Sequence, residues 1–273
     1  MEHSGAGLHV QFWGVRGSIP TPHAANMRYG GNTACVEVRL QGGPPVVLDA
    51  GTGIRRLGLE LRGCPLIHLL LTHFHWDHIQ GLPFFDPLHH PAQTLDVWSS
   101  APPARLQATL EQQMSTPYFP VNLTEPPRRP SYNQATGHGF EVGGIKVQPI
   151  ELHHPGGSTG YKLSANGASV VYATDHEPGS AVHDAALLEV AAGADLLIID
   201  SQYTPEEHQA REGWGHGTWL DSARTAREAG VKRLILFHHD PARDDEAVAA
   251  LVENARTEFF PTEAAREGWT IQI

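Results

Sequence analysis

Short apolar runs rich in β-branched residues recur along the chain, each of strand length: 10–13, 34–40, 46–48, 66–71, 95–98, 145–152, 161–164, 169–172, 195–199, 233–237 and 269–273. Between them, apolar residues at helical spacing predict helices over 54–61, 105–114, 185–192, 218–229 and 246–259. Pro102-Pro103 ahead of the second helix, and Gly193 and Gly230 after the third and fourth, are start and stop signals. Strands with helices interspersed predict an α/β fold in which two packed sheets carry helices on their outer faces. Residues 115–138 hold five prolines and little periodicity, so a loop or flap is expected there. Tyr118 and Phe119 within it either cover a site or anchor the loop to the core. No repeat or linker divides the chain, and residues 1–273 read as one domain.

The composition, 40% hydrophobic and 18% charged, excludes disorder, collagen and coiled coil. Histidine is the unusual count: 18, against 19 Lys and Arg together, of which three are lysines (Lys146, Lys162, Lys232). That excess raises the expectation of a metal site. The net charge of −11 lies in the second part, since residues 1–174 hold 11 acidic and 11 basic residues and residues 175–273 hold 19 and 8. A broad basic face for long nucleic acid is therefore not expected, and the pairs Arg55-Arg56 and Arg128-Arg129 are too small to make one. The start has no charged n-region followed by an apolar core, and no apolar stretch suits a membrane span, so a cytoplasmic location is expected. Cys35 and Cys64 lack paired metal-ligand spacing and read as buried thiols.

Chemistry concentrates where the run 66–71 enters Thr72-His73-Phe74-His75-Trp76-Asp77-His78. A strand ending in H-x-H-x-D-H delivers several metal-competent donors to one sheet edge. His73 and His75, two apart, share a face of an extended backbone, and Asp77 and His78 open the next turn, where they can serve a second ion. Trp76, between donors, reads as core packing, with stacking on a base as the alternative.

HFHWDH resembles the signature of the metallo-β-lactamase fold hydrolases. Further similar stretches follow in that family's order: LDAGTG, HPGGSTGY, YATD, GHGT and LFHHDP. The resemblance covers nearly the whole chain and implies an αββα four-layer sandwich. GVRGSIP (14–20) and YGGNTACVEV (29–38) resemble the phosphodiesterase-type branch, near ribonuclease Z and the cyclic-phosphate and cyclic-nucleotide diesterases. By position, it assigns His73, His75 and His154 to one divalent metal, Asp77, His78 and His238 to a second, and Asp175 as the bridge. Zn²⁺ suits this nitrogen and oxygen set, and Mn²⁺ or Fe²⁺ could also occupy it. His153, His176 and His239 are left as outer partners or surface groups. Asp49 and Asp200, each closing a strand, read as carboxylates that brace ligand imidazoles. GHGT places His216 ahead of a helix that Thr218 can cap, where the resemblance implies a proton donor or phosphate contact.

The implied reaction is phosphodiester hydrolysis by a hydroxide bridging two metals, with Asp77 and Asp175 orienting it and His216 protonating the leaving oxygen. Without a basic arm, the expected substrate is small: a cyclic phosphate or cyclic nucleotide. Arg16 in the GVRG loop reads as either a phosphate contact or a structural salt bridge. Four rivals share the scaffold: hydrolysis of C–O or amide bonds as in lactonases, thioesterases and β-lactamases, a tRNA 3′-end endonuclease, a di-iron redox protein, and a non-catalytic binding protein. A homodimer is expected by family analogy alone. Histidines such as His3, His9, His23, His89, His90 and His138 need no special role.

Overall fold

The structure, a computed structural model, describes residues 7–124 and 130–273. His3 and the Arg128-Arg129 pair lie outside the described residues. Two seven-stranded sheets carry the fold. In the first, β1 (Leu8–Gly14), β2 (Cys35–Leu40) and β3 (Val46–Leu48) run antiparallel, and β4 (Leu66–Leu70), β5 (Thr94–Ser99) and β6 (Ser131–Gln134) continue parallel from β3. The second sheet repeats this plan. Here β7 (Phe140–Val142), β8 (Ile145–Leu152), β9 (Ser158–Ala165) and β10 (Ala168–Ala173) form the antiparallel part. From β10 onward, β11 (Leu196–Asp200), β12 (Leu234–Phe237) and β13 (Thr262–Ala264) are parallel. The last strand, β14 (Thr270–Gln272), returns to pair with β1 on the first sheet.

The layering follows from which faces are apolar. Val10 and Phe12 of β1, Val36 and Val38 of β2, Leu163 of β9, Ile198 of β11 and Phe237 of β12 belong to one fully buried cluster, so the two sheets pack face to face. The other face of the first sheet is covered by α1 (Ile54–Glu60) and α3 (Pro103–Gln113), through Leu57, Leu106 and Leu110 against Ile67 and Val97. The outer face of the second sheet carries α4 (Ala181–Ala191), α6 (Trp219–Ala229) and α7 (Asp245–Glu258), through Leu187, Ala226 and Leu251. This is the four-layer αββα order. Two further one-turn helices occur, α2 (Trp76–Ile79) and α5 (Pro205–Gln209). The helix ends obey the expected chemistry. Thr218 accepts from the Asp221 N–H at the start of α6, and Gly230 ends it at a left-handed φ of 64°.

Differences from the sequence reading are local. The segment expected to be loop contains β6, whose residues Ser131-Tyr132-Asn133-Gln134 pair with β5 at the sheet edge, where polar side chains leave no apolar signal. Phe119 is half-buried against the outer core and edge-on to Phe84, while Tyr118 is exposed. Cys64 is half-buried rather than buried; Cys35 is fully buried, and burial pushes its thiol well above the ordinary value. Among the described residues, no helix is long and apolar enough to cross a membrane.

If the cluster between the sheets carries the stability, Ile198→Ala lowers the unfolding free energy by about 2–5 kcal/mol. Val182→Ala, on the exposed face of α4, stays within about 0.5 kcal/mol. Urea midpoints at unchanged slope check both, and equal effects at the two positions would contradict the packing described.

Candidate metal centre

The polar groups that converge here leave from strand ends. Asp49 follows β3, His73 lies three residues beyond β4, His154 two beyond β8, Asp175 two beyond β10, Asp200 closes β11, and His238 follows β12. Carboxyl ends of parallel strands are where open α/β sheets form sites, because the chain must turn there with its polar groups free of the ladder. Asp49, Asp175 and His238 each turn with a positive φ (63°, 58° and 61°). Such conformations cost about 1–3 kcal/mol each and persist where surrounding contacts over-determine them.

Two clusters result. Histidines 73, 75 and 154 form one, with His154 Nε2 3.1 Å from His75 Nδ1. Asp77, His78 and His238 form the other: His78 Nε2 lies 3.3 Å from His238 Nε2 and 3.4 Å from Asp77 Oδ2, and His238 Nε2 lies 3.2 Å from Asp77 Oδ2. Asp175 stands between them. Its Oδ1 is 3.8 Å from both His73 and His154 Nε2, and its Oδ2 is 3.1 Å from His78 and 3.4 Å from His238. Donors around a tetrahedral ion with bonds near 2.0–2.1 Å are roughly 3.3 Å apart, so these spacings fit one ion per cluster. His73 Nε2 points into its cluster buried and without a hydrogen-bond partner, which a cation would satisfy.

The electrostatics agree with that fit. Burial lowers His73, His75 and His154, keeping them neutral with a lone pair to offer. His78 differs. Burial alone would lower it, but Asp175, Asp77 and Asp49 outweigh burial and raise it well above the ordinary value. A field that holds a proton on that buried ring equally attracts a metal cation. Asp77 and Asp175, despite burial, are held below the usual carboxylate range by His78 and His238.

Each of these imidazoles except His75 is fixed through its other nitrogen. His78 Nδ1–H donates to Asp49 Oδ2 at 2.8 Å, and Asp49 also accepts from Thr72 N and from the Tyr172 hydroxyl. His73 Nδ1 meets Thr72 Oγ1, His154 Nδ1–H donates to the Gly215 carbonyl, and His238 Nδ1–H donates to Gln202 Oε1. Such partners set the tautomer that turns Nε2 inward. Close approach explains two glycines. A Cβ on Gly17 would press on the His238 ring, and one on Gly215, at φ 89°, would strike the His154 ring.

His216 Nδ1–H donates to Asp200 Oδ2 at 2.8 Å. Burial works to lower it, but Asp200, supported by Asp175 and Asp77, raises it to about 9. It lines a cavity of about 400 Å³ with His75, Asp77 and Asp175. The structure thus brings together every residue expected at the site: His73, His75, Asp77, His78, His154, Asp175, His216 and His238. Asp49 and Asp200 brace imidazoles as expected.

Other expectations fail. Arg16 is fully buried and donates to the carbonyls of Gly30, Asp240 and Arg243, so it is neither a phosphate contact nor a salt bridge; its role is to tie three loops together. Trp76 is 62% exposed rather than core, because α2 is one turn long and turns Asp77, His78 and Ile79 inward instead. His239, fully buried, donates to the Ala265 carbonyl, and burial drives it down to about 3. His153 is exposed, in keeping with a surface group, and donates to the Glu177 carbonyl, while the buried His176 donates to Asp184. Sequence reasoning missed Gln202, Glu177 and Ser18. Glu177 accepts from the N–H groups of Gly213 and Gly215 and so holds the loop carrying His216, while the Ser18 N–H donates to Asp77 Oδ2. Gln202 and Glu177 each lie two residues beyond a strand-end aspartate, a position that could have flagged them.

Residues 45–239 match the beta-lactamase superfamily domain. The chain is 27% identical over 281 aligned residues to the uncharacterized protein ML1173 of Mycobacterium leprae, an alignment that covers 97% of this chain and 89% of that protein. It is 25% identical to a ribonuclease Z of Methanosarcina acetivorans, covering 91% of this chain and 93% of the other. Among solved structures it is similar to a diphosphatase from the PhnP family, with a TM-score of 0.72, 19% identity, and coverage of 97% and 98% of the two chains. The αββα layers and the histidine and aspartate clusters at the strand ends accord with these likenesses: the chain belongs to the beta-lactamase superfamily, as a metallo-β-lactamase fold hydrolase related to ribonuclease Z.

Proposed function

We propose that this chain is a phosphodiesterase working with two divalent ions, best suited by Zn²⁺, and that its substrate is a small diester such as a cyclic phosphate or cyclic nucleotide. The observation that carries the reading is His216, held by Asp200 beside the paired donor clusters and facing the same cavity as Asp77 and Asp175. Histidines 73, 75 and 154 would hold one ion, Asp77, His78 and His238 the other, with Asp175 shared between them. When bound, such a pair supplies an activated water and Lewis acidity toward the oxygens of a displacement.

The chain's own groups provide the rest. Asp200 accepts the hydrogen bond from His216 Nδ1–H, leaving Nε2–H as the group able to hand a proton to a departing alkoxide. Ser18 N–H on Asp77 and the Thr72–Asp49–His78 hydrogen bonds stop the donors from turning away to water. Thr218 caps α6 two residues beyond His216, and the start of that helix favours a nearby anion. A second reading, endonuclease action on tRNA 3′ ends, is favoured by the likeness to ribonuclease Z. The acid-rich second part of the chain argues for the small substrate.

A screen of metal-loaded protein against cyclic mononucleotides, cyclic dinucleotides, ribosyl cyclic phosphate, a tRNA precursor and a lactone tests the proposal. Turnover of a small cyclic phosphate is expected, and turnover of the lactone alone would overturn the phosphodiester assignment. His75→Ala removes one donor from the first cluster and is expected to lower metal content and turnover together. By contrast, His216→Ala should keep the metal and lose about 10²–10⁴-fold in rate. Metal analysis beside initial rates separates the two, and equal metal loss in both variants would contradict the separate role of His216.

A further inference from the structure

Trp76 is the first residue of α2, fixed in the chain between His75 and Asp77, both of which take part in the donor clusters. Trp76 is nevertheless 62% exposed, and it lines the cavity that His216 and Asp175 line. Its indole takes part in no hydrogen bond, ring pair or cation–π contact among the described residues. Phe74 lines the same cavity, and among the described residues no Lys or Arg does. An indole left in water beside a site forgoes the burial that aromatic side chains usually find.

From this we infer that Trp76 is a specificity-determining residue: the flat face on which the non-reacting part of the substrate stacks, that part being an uncharged planar ring such as a nucleobase. This rests on the phosphodiesterase reading above and narrows its substrate class. The histidines and aspartates on the cavity wall suit a single reacting phosphate. Phe74 and Trp76 add aromatic surface, and among the described residues no cation lines the cavity, which suits a neutral ring and gives no partner to additional phosphates. An aliphatic diester of the same charge would lose the stacking and keep the rest.

Isothermal titration calorimetry of zinc-loaded protein with adenosine 3′-monophosphate and with glycerol 3-phosphate compares a planar and a non-planar phosphate of equal charge. The wild-type protein is expected to prefer the adenosine probe. Trp76→Ala should cut that preference about tenfold, and Trp76→Phe, which keeps an aromatic face, should restore most of it. Absence of a wild-type preference, equal weakening of both probes, or a loss that Phe does not recover would overturn the assignment. In parallel, kcat/KM is measured on adenosine 2′,3′-cyclic phosphate and glycerol 1,2-cyclic phosphate, where the same shift of preference is expected in Trp76→Ala. If the wild type cleaves neither compound, the phosphodiesterase reading fails, and the calorimetric preference still decides the role of Trp76.

Discussion

Asp175 holds the centre of the site together because its two oxygens face two different groups of imidazoles. Oδ1 looks toward His73 and His154 of one cluster, and Oδ2 toward His78 and His238 of the other. Burial alone would favour the protonated acid, yet the surrounding imidazoles keep it ionised. A buried carboxylate of this kind persists only if positive charge or hydrogen-bond donors answer it from both sides. The rest of the architecture can be understood as the means of bringing those answers to one point. Donors from the first sheet, His73, His75, Asp77 and His78, follow β4. Those from the second, His154 and His238, follow β8 and β12. Packing the two sheets face to face makes these ends adjacent, so the apolar cluster between the sheets and the polar cluster at their rim are two consequences of one packing arrangement.

The turns that aim these groups are strained, and the strain is countered locally. Asp49 adopts a positive φ but accepts hydrogen bonds from Thr72, His78 and Tyr172, more than an aspartate in a free turn could gather. At His238, likewise at positive φ, the ring is pinned by Gln202 on one nitrogen and crowded by Gly17. Arg16 serves the same end from further away. Its guanidinium draws the carbonyls of Gly30, Asp240 and Arg243 toward the loop that presents Ser18 to Asp77. Preorganisation of this sort limits how far the donors must move when charge arrives, which is why outer partners weigh on metal affinity nearly as much as the ligands do.

Much of this was legible before the fold was known, and the legible part shares a cause. H-x-H-x-D-H after an apolar run is a local pattern whose meaning depends on one strand and one turn. The strands and helices were read from periodicity that burial on one or two faces imposes; β11, for instance, is buried at every position and reads as a continuous apolar run. What escaped the sequence depends on tertiary neighbours. Strand β6 is polar because it lies at an edge. Arg16 could be weighed only as a phosphate contact or a salt-bridge partner until its burial among carbonyls was seen. Trp76 carries the largest side chain in its motif, yet the short turn it begins directs Asp77 and His78 inward and leaves it outside. Gln202 and Glu177 act on residues 36 and 38 positions away, His238 and Gly215, and their place after a strand-end aspartate marks them without naming those partners.

Charge links the fold to the kind of molecule the site can admit. The second part of the chain supplies Asp175, Asp200 and most of the acidic excess, so the protein's long-range field opposes a polyanion. At short range, cations held among the clusters as proposed would reverse the sign, since among the described residues no Lys or Arg lines the cavity. Under the proposed function an anion would then be attracted over a few ångströms, and screening would confine that field to about 8–10 Å at ordinary ionic strength. A compact monoanion meets the attraction without much of the repulsion. A long phosphate chain meets both, and would need a basic surface elsewhere to compensate.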